Sequence, residues 1–312
     1  LVAKCDVLIE NFKVGGLEKY GLDYASLRGV NPKLVYCSIT GFGQTGPYAE
    51  RAGYDFMIQA MGGLMSVTGE PGGQPMKVGV ALADVMTGLY AANAIQAALI
   101  HQLRHGKGQY IDLALLDVQV ATLANQAMNY LASGNNPQRM GNAHPNIVPY
   151  QAFQTRDGHL ILAVGNDAQF KRFCDLAGRP DLAIDDLYLK NSDRVKNRQS
   201  LIPQLIDIML SQDSDWWLDQ LNAHGIPCGP INNIDAVFAN PQVRHRGMQF
   251  ELEHPAAGKV ASVGNPIKFS ETPVSYDKAP PMLGQHTEAV LSELLELDAK
   301  QIKQLRTESI IA

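Results

Sequence analysis

The stretch Val85-Met86-Thr87-Gly88-Leu89-Tyr90-Ala91-Ala92-Asn93-Ala94-Ile95-Gln96-Ala97-Ala98-Leu99-Ile100-His101-Gln102-Leu103 runs into Arg104-His105-Gly106-Lys107-Gly108 and then into Tyr110-Ile111-Asp112-Leu113-Ala114-Leu115. The first run is long, apolar and Ala-rich, which predicts a helix over 85–103. Basic residues followed by Gly106 suit a helix C-terminus, where cations meet exposed carbonyls and glycine takes the left-handed cap. The next run predicts a strand over 110–115. A helix that feeds a strand through a short glycine stop is half of a parallel α/β unit.

The same alternation extends outward. Strands are predicted over 6–10 and 34–38. Helices are predicted over 17–30, closed by Asn31-Pro32, over 55–65 and over 117–132. Residues 1–132 therefore read as a large α/β domain. Residues 133–150, rich in Gly, Asn and Pro, read as a linker. Beyond it, Asp157-Gly158 between two extended runs signals a hairpin. Helices are predicted over 167–177, 193–212 and 214–224, so 151–247 reads as a smaller α/β domain. Trp216-Trp217 reads as core or an interface. Residues 255–281 are turn-rich with strand-like pieces. Residues 287–309 read as a helix pair with Asp298 as an N-cap.

The chain has 312 residues, 46% of them hydrophobic, enough for one large or two medium cores. A net charge of -5 with no block of like charge argues against binding nucleic acid or a membrane surface. Thr87, Asn93 and Gln96 interrupt the longest apolar run, 85–100. It is too short and too polar to span a bilayer and reads as a buried helix. Cys5, Cys37, Cys174 and Cys228 lie far apart, without CxxC or Cys/His spacing, so neither a disulfide framework nor a metal site is expected. A reducing compartment, bacterial cytoplasm or mitochondrial matrix, fits this usage. Residues 1–9 read as the end of a helix entering a strand, so further N-terminal sequence is expected ahead of Leu1.

Just before the long helix stands Gly79-Val80-Ala81-Leu82-Ala83-Asp84, a small-residue run ending in one carboxylate. A carboxylate there caps the helix, or it is an ionised nucleophile held by backbone N–H groups. The residues by themselves leave both open. The run 41–47 lacks the Lys-Ser/Thr of a P-loop and the spacing of a dinucleotide fingerprint, so it reads as a tight loop.

Seven stretches, in order, resemble the class III CoA-transferase family. They are Cys5-Asp6-Val7-Leu8-Ile9-Glu10-Asn11-Phe12, Ser38-Ile39-Thr40-Gly41-Phe42-Gly43-Gln44-Thr45-Gly46-Pro47, Arg51-Ala52-Gly53-Tyr54-Asp55, the run 79–84, Gly106-Lys107-Gly108-Gln109, Gly225-Ile226-Pro227-Cys228-Gly229-Pro230 and Leu283-Gly284-Gln285-His286-Thr287. Together they cover nearly all of the chain. Arg139, Gly141, His144, residues 147–153, Gly165-Asn166 and Gln169-Phe170 add a closer resemblance to the succinyl-CoA–glutarate (dicarboxylate) members. The resemblance implies a Rossmann-like large domain, a small domain and a C-terminal segment, 248–312, that returns to the large one. It also implies an interlocked homodimer and an N-terminal βα segment preceding this sequence. Coenzyme A and its acyl esters become substrates, and no permanently bound cofactor is implied.

By the same resemblance Asp84 is the catalytic aspartate. It attacks a donor thioester to give a mixed anhydride, then an aspartyl-CoA thioester that an acceptor carboxylate opens. Helix N-terminal N–H groups are expected to keep it ionised, and Gly62-Gly63 to offer oxyanion donors. Asn11, Phe12, Lys13 and Lys19 belong to the loop facing the CoA nucleotide. Arg51, Gly53, Tyr54 and Asp55 fall near the pantetheine and acyl group. Without the resemblance, Lys13 and Lys19 are solvated charges, Asn11 a turn residue and Tyr54 a packing aromatic. Relatives that racemise 2-methylacyl-CoA carry His at the position of Tyr54. A phenol is a poor base for α-proton exchange, so the tyrosine favours transfer. Arg139, His144 and Asn146 are candidates to hold the distal carboxylate of a dicarboxylic acyl group. No glycine-rich lid is present, which disfavours formyl-CoA/oxalate exchange. The expected function is transfer of CoA from an acyl-CoA, succinyl-CoA foremost, to a dicarboxylic acid. The alternatives are a 2-methylacyl-CoA racemase on the same fold and a non-catalytic CoA-binding homologue.

Overall fold

The computed structural model describes residues 1–311. Three parallel strands, β1 (Val7–Glu10), β2 (Val35–Thr40) and β3 (Tyr110–Ala114), lie in the order β1-β2-β3. Val35, Tyr36, Cys37 and Ser38 of the central strand are all buried, as befits a parallel strand covered on both faces. α1 (Tyr24–Val30) returns the chain from β1 to β2. It is shorter than the helix expected over 17–30. Gly21 turns left-handed (φ 64°) after a single tight turn, and Asp23 restarts the helix by accepting from Ser26 N at 3.0 Å.

Between β2 and β3 come α2 (Asp55–Met61), α3 (Leu64–Val67) and α4 (Leu82–His105). The helix expected over 55–65 breaks at Gly62-Gly63, where Gly63 has φ 85°. α4 begins at Leu82 rather than Val85, so Asp84 lies inside its first turn and not ahead of it. Its inward stripe is Ala83, Thr87, Ala91, Ala98 and Gln102, mostly small side chains that let the helix backbone approach β2 and β3. The large apolar residues Val85, Leu89, Ile100 and Leu103 point the other way and are exposed. The helix is therefore buried along one narrow stripe only, against the expectation of a fully buried segment. α5 (Leu115–Ala121) and α6 (Ala124–Ser133) replace the single helix expected over 117–132, and Ala124 takes φ 48° at the break.

The linker is pinned on both sides. Gly141 N donates to Gly69 O, while Arg198 donates to the carbonyls of His144 and Pro145. The small unit pairs β4 (Tyr150–Gln154) and β5 (His159–Ala163) around Asp157-Gly158. Its helices are α7 (Asp167–Leu176), α8 (Pro180–Ile184), α9 (Asn191–Lys196), α10 (Arg198–Met209) and α11 (Ser214–Ala223). β6 (Cys228–Pro230) then adds antiparallel to β5. Phe153, Leu160, Phe173, Leu205 and Trp217 centre one continuous core. Trp217 is buried, with its Nε1 donating to Met209 O, while Trp216 is part-exposed.

α12 (Ile234–Ala239) and α13 (Pro241–His245) lead to a hairpin, β7 (Gln249–His254) and β8 (Gly258–Val263). α14 (Thr287–Leu295) and α15 (Ala299–Thr307) close the chain, the latter capped by Asp298. Lys4 Nζ donates to Leu294 O at 2.7 Å, which ties this C-terminal pair to the start of the large unit. All four cysteines are free thiols. Among the described residues no helix is long and apolar enough to cross a membrane.

Candidate active site

Two loops frame a cleft of the large unit. The turn after β2 runs back against the segment that precedes α2. A Cβ on Gly41 would stand 2.5 Å from the Cα of Gly53, so the two backbones approach as only glycines allow. This contact fixes where residues 51–55 enter the cleft. The cleft has a volume of about 520 Å³ and opens beneath the loop after β1. Asn11, Phe12, Lys13, Arg51, Gly53, Tyr54, Asp55 and Asp84 all line it. Thr40 and Gly41, from the resembling stretch 38–47, line it too, as do Glu50, Thr87, Gly88 and Leu115, which carry no site signal in the sequence.

Asp55 organises the floor. Its Oδ1 accepts from Ala83 N at 2.8 Å and from Asp84 N at 3.4 Å, so it caps α4 from a different helix. Its Oδ2 accepts from Gln59 Nε2 at 2.8 Å, one turn along α2. Gln59 is fully buried and also bonds the incoming segment: Nε2 to Val80 O at 3.3 Å, and Val78 N to its Oε1 at 2.9 Å. Leu82 N closes on Val80 O and Val85 N on Ala81 O. Every N–H group at the entry to α4 is thus taken by a protein acceptor.

The Asp84 carboxylate is consequently left alone. Among the described residues no hydrogen-bond donor or cation pairs with it. Desolvation against the cleft wall, and then the charge of Asp55, push its carboxyl above the usual carboxylate range. The N–H groups of Ala83 and Asp84, expected to hold the Asp84 carboxylate, serve Asp55 instead. Gly62 and Gly63 are corrected too. Their N–H groups bond Ile58 O and Ala60 O, and neither residue lines the cleft.

Other candidates stand elsewhere. Lys19 lines a neighbouring groove with Ile9, Tyr20 and Leu22, its Nζ 4.8 Å from the Tyr20 ring centre. Arg139 Nη2 donates to Gly73 O at 2.6 Å, and its Nε is buried. His144 Nδ1 accepts from Asn146 N at 3.0 Å, and the Asn146 side chain meets Asn125 and Asn129. None of these four lines the Asp84 cleft. Among the described residues no group of three or more His, Cys, Asp or Glu gathers as a metal would require.

Residues 1–287 match the profile of CoA-transferase family III, and the chain belongs to that family of enzymes. Over 94% of its length it is 54% identical to a succinate–glutarate CoA-transferase of Agrobacterium fabrum, covering 74% of that relative. It is 43% identical to the human succinyl-CoA:glutarate CoA-transferase over 311 residues, 71% of that protein. A crystal structure of a CAIB/BAIF family protein from Brucella suis shares the fold with a TM-score of 0.80 and 54% identity, over 94% of this chain and 76% of that one.

A carboxyl whose folded pKa is raised binds its proton more tightly folded than unfolded. Its contribution favours the folded state below the unfolded pKa, about 3.9, and is lost as pH rises through the folded value. At neutral pH the ionised Asp84 therefore opposes folding. Asp84→Asn is expected to melt at or above the parent temperature at neutral pH, with the difference closing on acidification. A lower melting temperature at neutral pH would show a stabilising partner for the carboxylate.

Proposed function

We propose that this enzyme moves CoA from succinyl-CoA to a dicarboxylic acid, glutarate foremost, through Asp84. The observation that carries the reading is an unpartnered, partly desolvated carboxylate in the cleft beneath the turns after β1 and β2. Structural carboxylates elsewhere in the chain, such as Asp23, Asp157 and Asp298, are each hydrogen-bonded. The names of the Agrobacterium and human relatives support succinate and glutarate as the acid pair.

Asp84 attacks the thioester carbonyl of succinyl-CoA. The C–S bond breaks, giving a succinyl–aspartyl anhydride and CoA thiolate. The thiolate attacks the aspartyl carbonyl, releasing succinate and leaving an aspartyl-CoA thioester. The acceptor carboxylate opens that thioester to a second anhydride, and the thiolate then takes the acceptor acyl group and frees Asp84. Each step exchanges one activated acyl bond for another, so no step is steeply uphill. Asp55 fixes the helix entry from which Asp84 projects and, by its charge, makes the ionised carboxylate a less stable ground state. Asn11, Phe12 and Lys13 form the wall over which CoA lies. Gly53 keeps the opposite wall close, and Tyr54, 75% exposed, stands at the mouth.

A homodimer is part of the proposal. The exposed apolar side of α4, with Leu103 82% exposed, supports a second chain covering it. Light scattering is expected to give twice the chain mass, and a monomer at micromolar concentration would contradict this.

Mixing succinyl-CoA with glutarate, other dicarboxylates and monocarboxylates, and reading the CoA esters by mass spectrometry, tests the reaction. Glutaryl-CoA is expected from the parent and not from Asp84→Ala. Exchange that survives in Asp84→Ala would remove the nucleophile from this position. Solvent deuterium entering the α-carbon of a 2-methylacyl-CoA without exchange of acids would favour the racemase.

A further inference from the structure

Arg51 enters the same cleft as Asp84, and its guanidinium has no carboxylate partner among the described residues. Two aromatic rings hold it instead. Its Cζ lies 4.5 Å from the Tyr48 ring centre and 5.6 Å from that of Phe42. Those rings themselves pack edge to face at 5.6 Å. Arg51 N donates to Tyr48 O at 2.9 Å, which locks the backbone beneath the stack. Phe42 packs on the cluster of Ile58, Ala83 and Leu115, the cluster that seats the first turn of α4. Arg51 and Asp84 therefore share one rigid support.

Aromatic rings hold a guanidinium by its charge and take none of its N–H donors as a carboxylate would. An unpaired guanidinium in a cleft suits a planar oxyanion, which it can bind through two N–H groups. The other cation of the cleft, Lys13, sits exposed on the loop after β1, with no ring or acceptor holding it among the described residues. The nucleophile must attack one carbonyl of a dicarboxylic acyl group, and the far carboxylate then needs a fixed cation in the same cleft. Arg139 does not meet that need, since it reaches for Gly73 O outside the cleft.

We propose that Arg51 binds the distal carboxylate of the dicarboxylic acyl group and so sets the enzyme's preference for dicarboxylates. The inference rests on the acyl-transfer reading for its substrate class. An oxyanion on Arg51 has two sources in an acyl-CoA, the acyl carboxylate and the CoA phosphates, and the test separates them.

The binding of glutaryl-CoA and of valeryl-CoA, which differ at the distal carboxylate, is measured by calorimetry. Asp84→Asn serves as the background, so that no turnover occurs and the result stands apart from the exchange assay. Adding Arg51→Gln is expected to weaken glutaryl-CoA by about 30-fold and to leave valeryl-CoA unchanged. Arg51→Lys, which keeps the charge without the fork, is expected to fall between. Equal weakening of both esters would assign Arg51 to the CoA phosphates, and no weakening of either would leave it without a ligand. Both results overturn the proposal. Unchanged melting temperatures of the two Arg51 variants establish that the fold is retained. Failure of the parent to exchange acids would count against the acyl-transfer reading alone.

Discussion

The carboxylate of Asp55 does two things at the entry to α4. It accepts the N–H groups of Ala83 and Asp84, and it places a negative charge beside the Asp84 side chain. A side-chain cap contributes about 1 kcal/mol. Most helices take that cap from the residue preceding them, but Ala81, which stands there, has no side chain able to supply it. The cap comes from the first turn of another helix, and the first-turn carboxylate of α4 is spared structural duty. Gln59, fully buried, holds Asp55 and the segment 78–80 in register, so the arrangement is set by packing and not by loop chance.

From this follows the chemistry the cleft supports. A nucleophilic carboxylate has to be ionised yet poorly stabilised, because any strong donor that held it would have to be displaced in the reaction. Desolvation and a neighbouring like charge supply that condition here. The glycine contact between Gly41 and Gly53 and the aromatic seat of Arg51 keep the opposing wall close without placing a competing partner on Asp84.

Much of this was legible in the residues. The Ala-rich run, its Arg-His-Gly stop and the strand after it located α4 and β3 to within a few positions, because propensity and glycine chemistry are local. The start of α4 was misplaced because its cap lies far back along the chain. The breaks at Gly21 and Gly62-Gly63 had a local signal in glycine itself. The break at Ala124 had none, since a left-handed alanine is imposed by tertiary packing. Residues 11–13, 51–55 and 84 are drawn together because the turns after β1 and β2 and the start of α4 meet at one end of the sheet. Lys19 fell outside because Gly21 and the tight turn before it carry the chain away. Gln59 went unread because a glutamine inside a helix has no motif; only the fold shows that its amide ties α2 to the segment 78–80.

The most direct test of a covalent Asp84 follows oxygen. Protein is incubated with succinyl-CoA and glutarate labelled with oxygen-18 in both carboxylates, and the peptide holding residue 84 is weighed. Collapse of the glutaryl–aspartyl anhydride by thiolate attack on the glutaryl carbonyl leaves one acceptor oxygen on the aspartate, so Asp84 should gain the label as turnover proceeds. Formation of glutaryl-CoA with Asp84 unlabelled would mean that the acyl groups pass without joining this carboxylate, and would contradict its role as nucleophile.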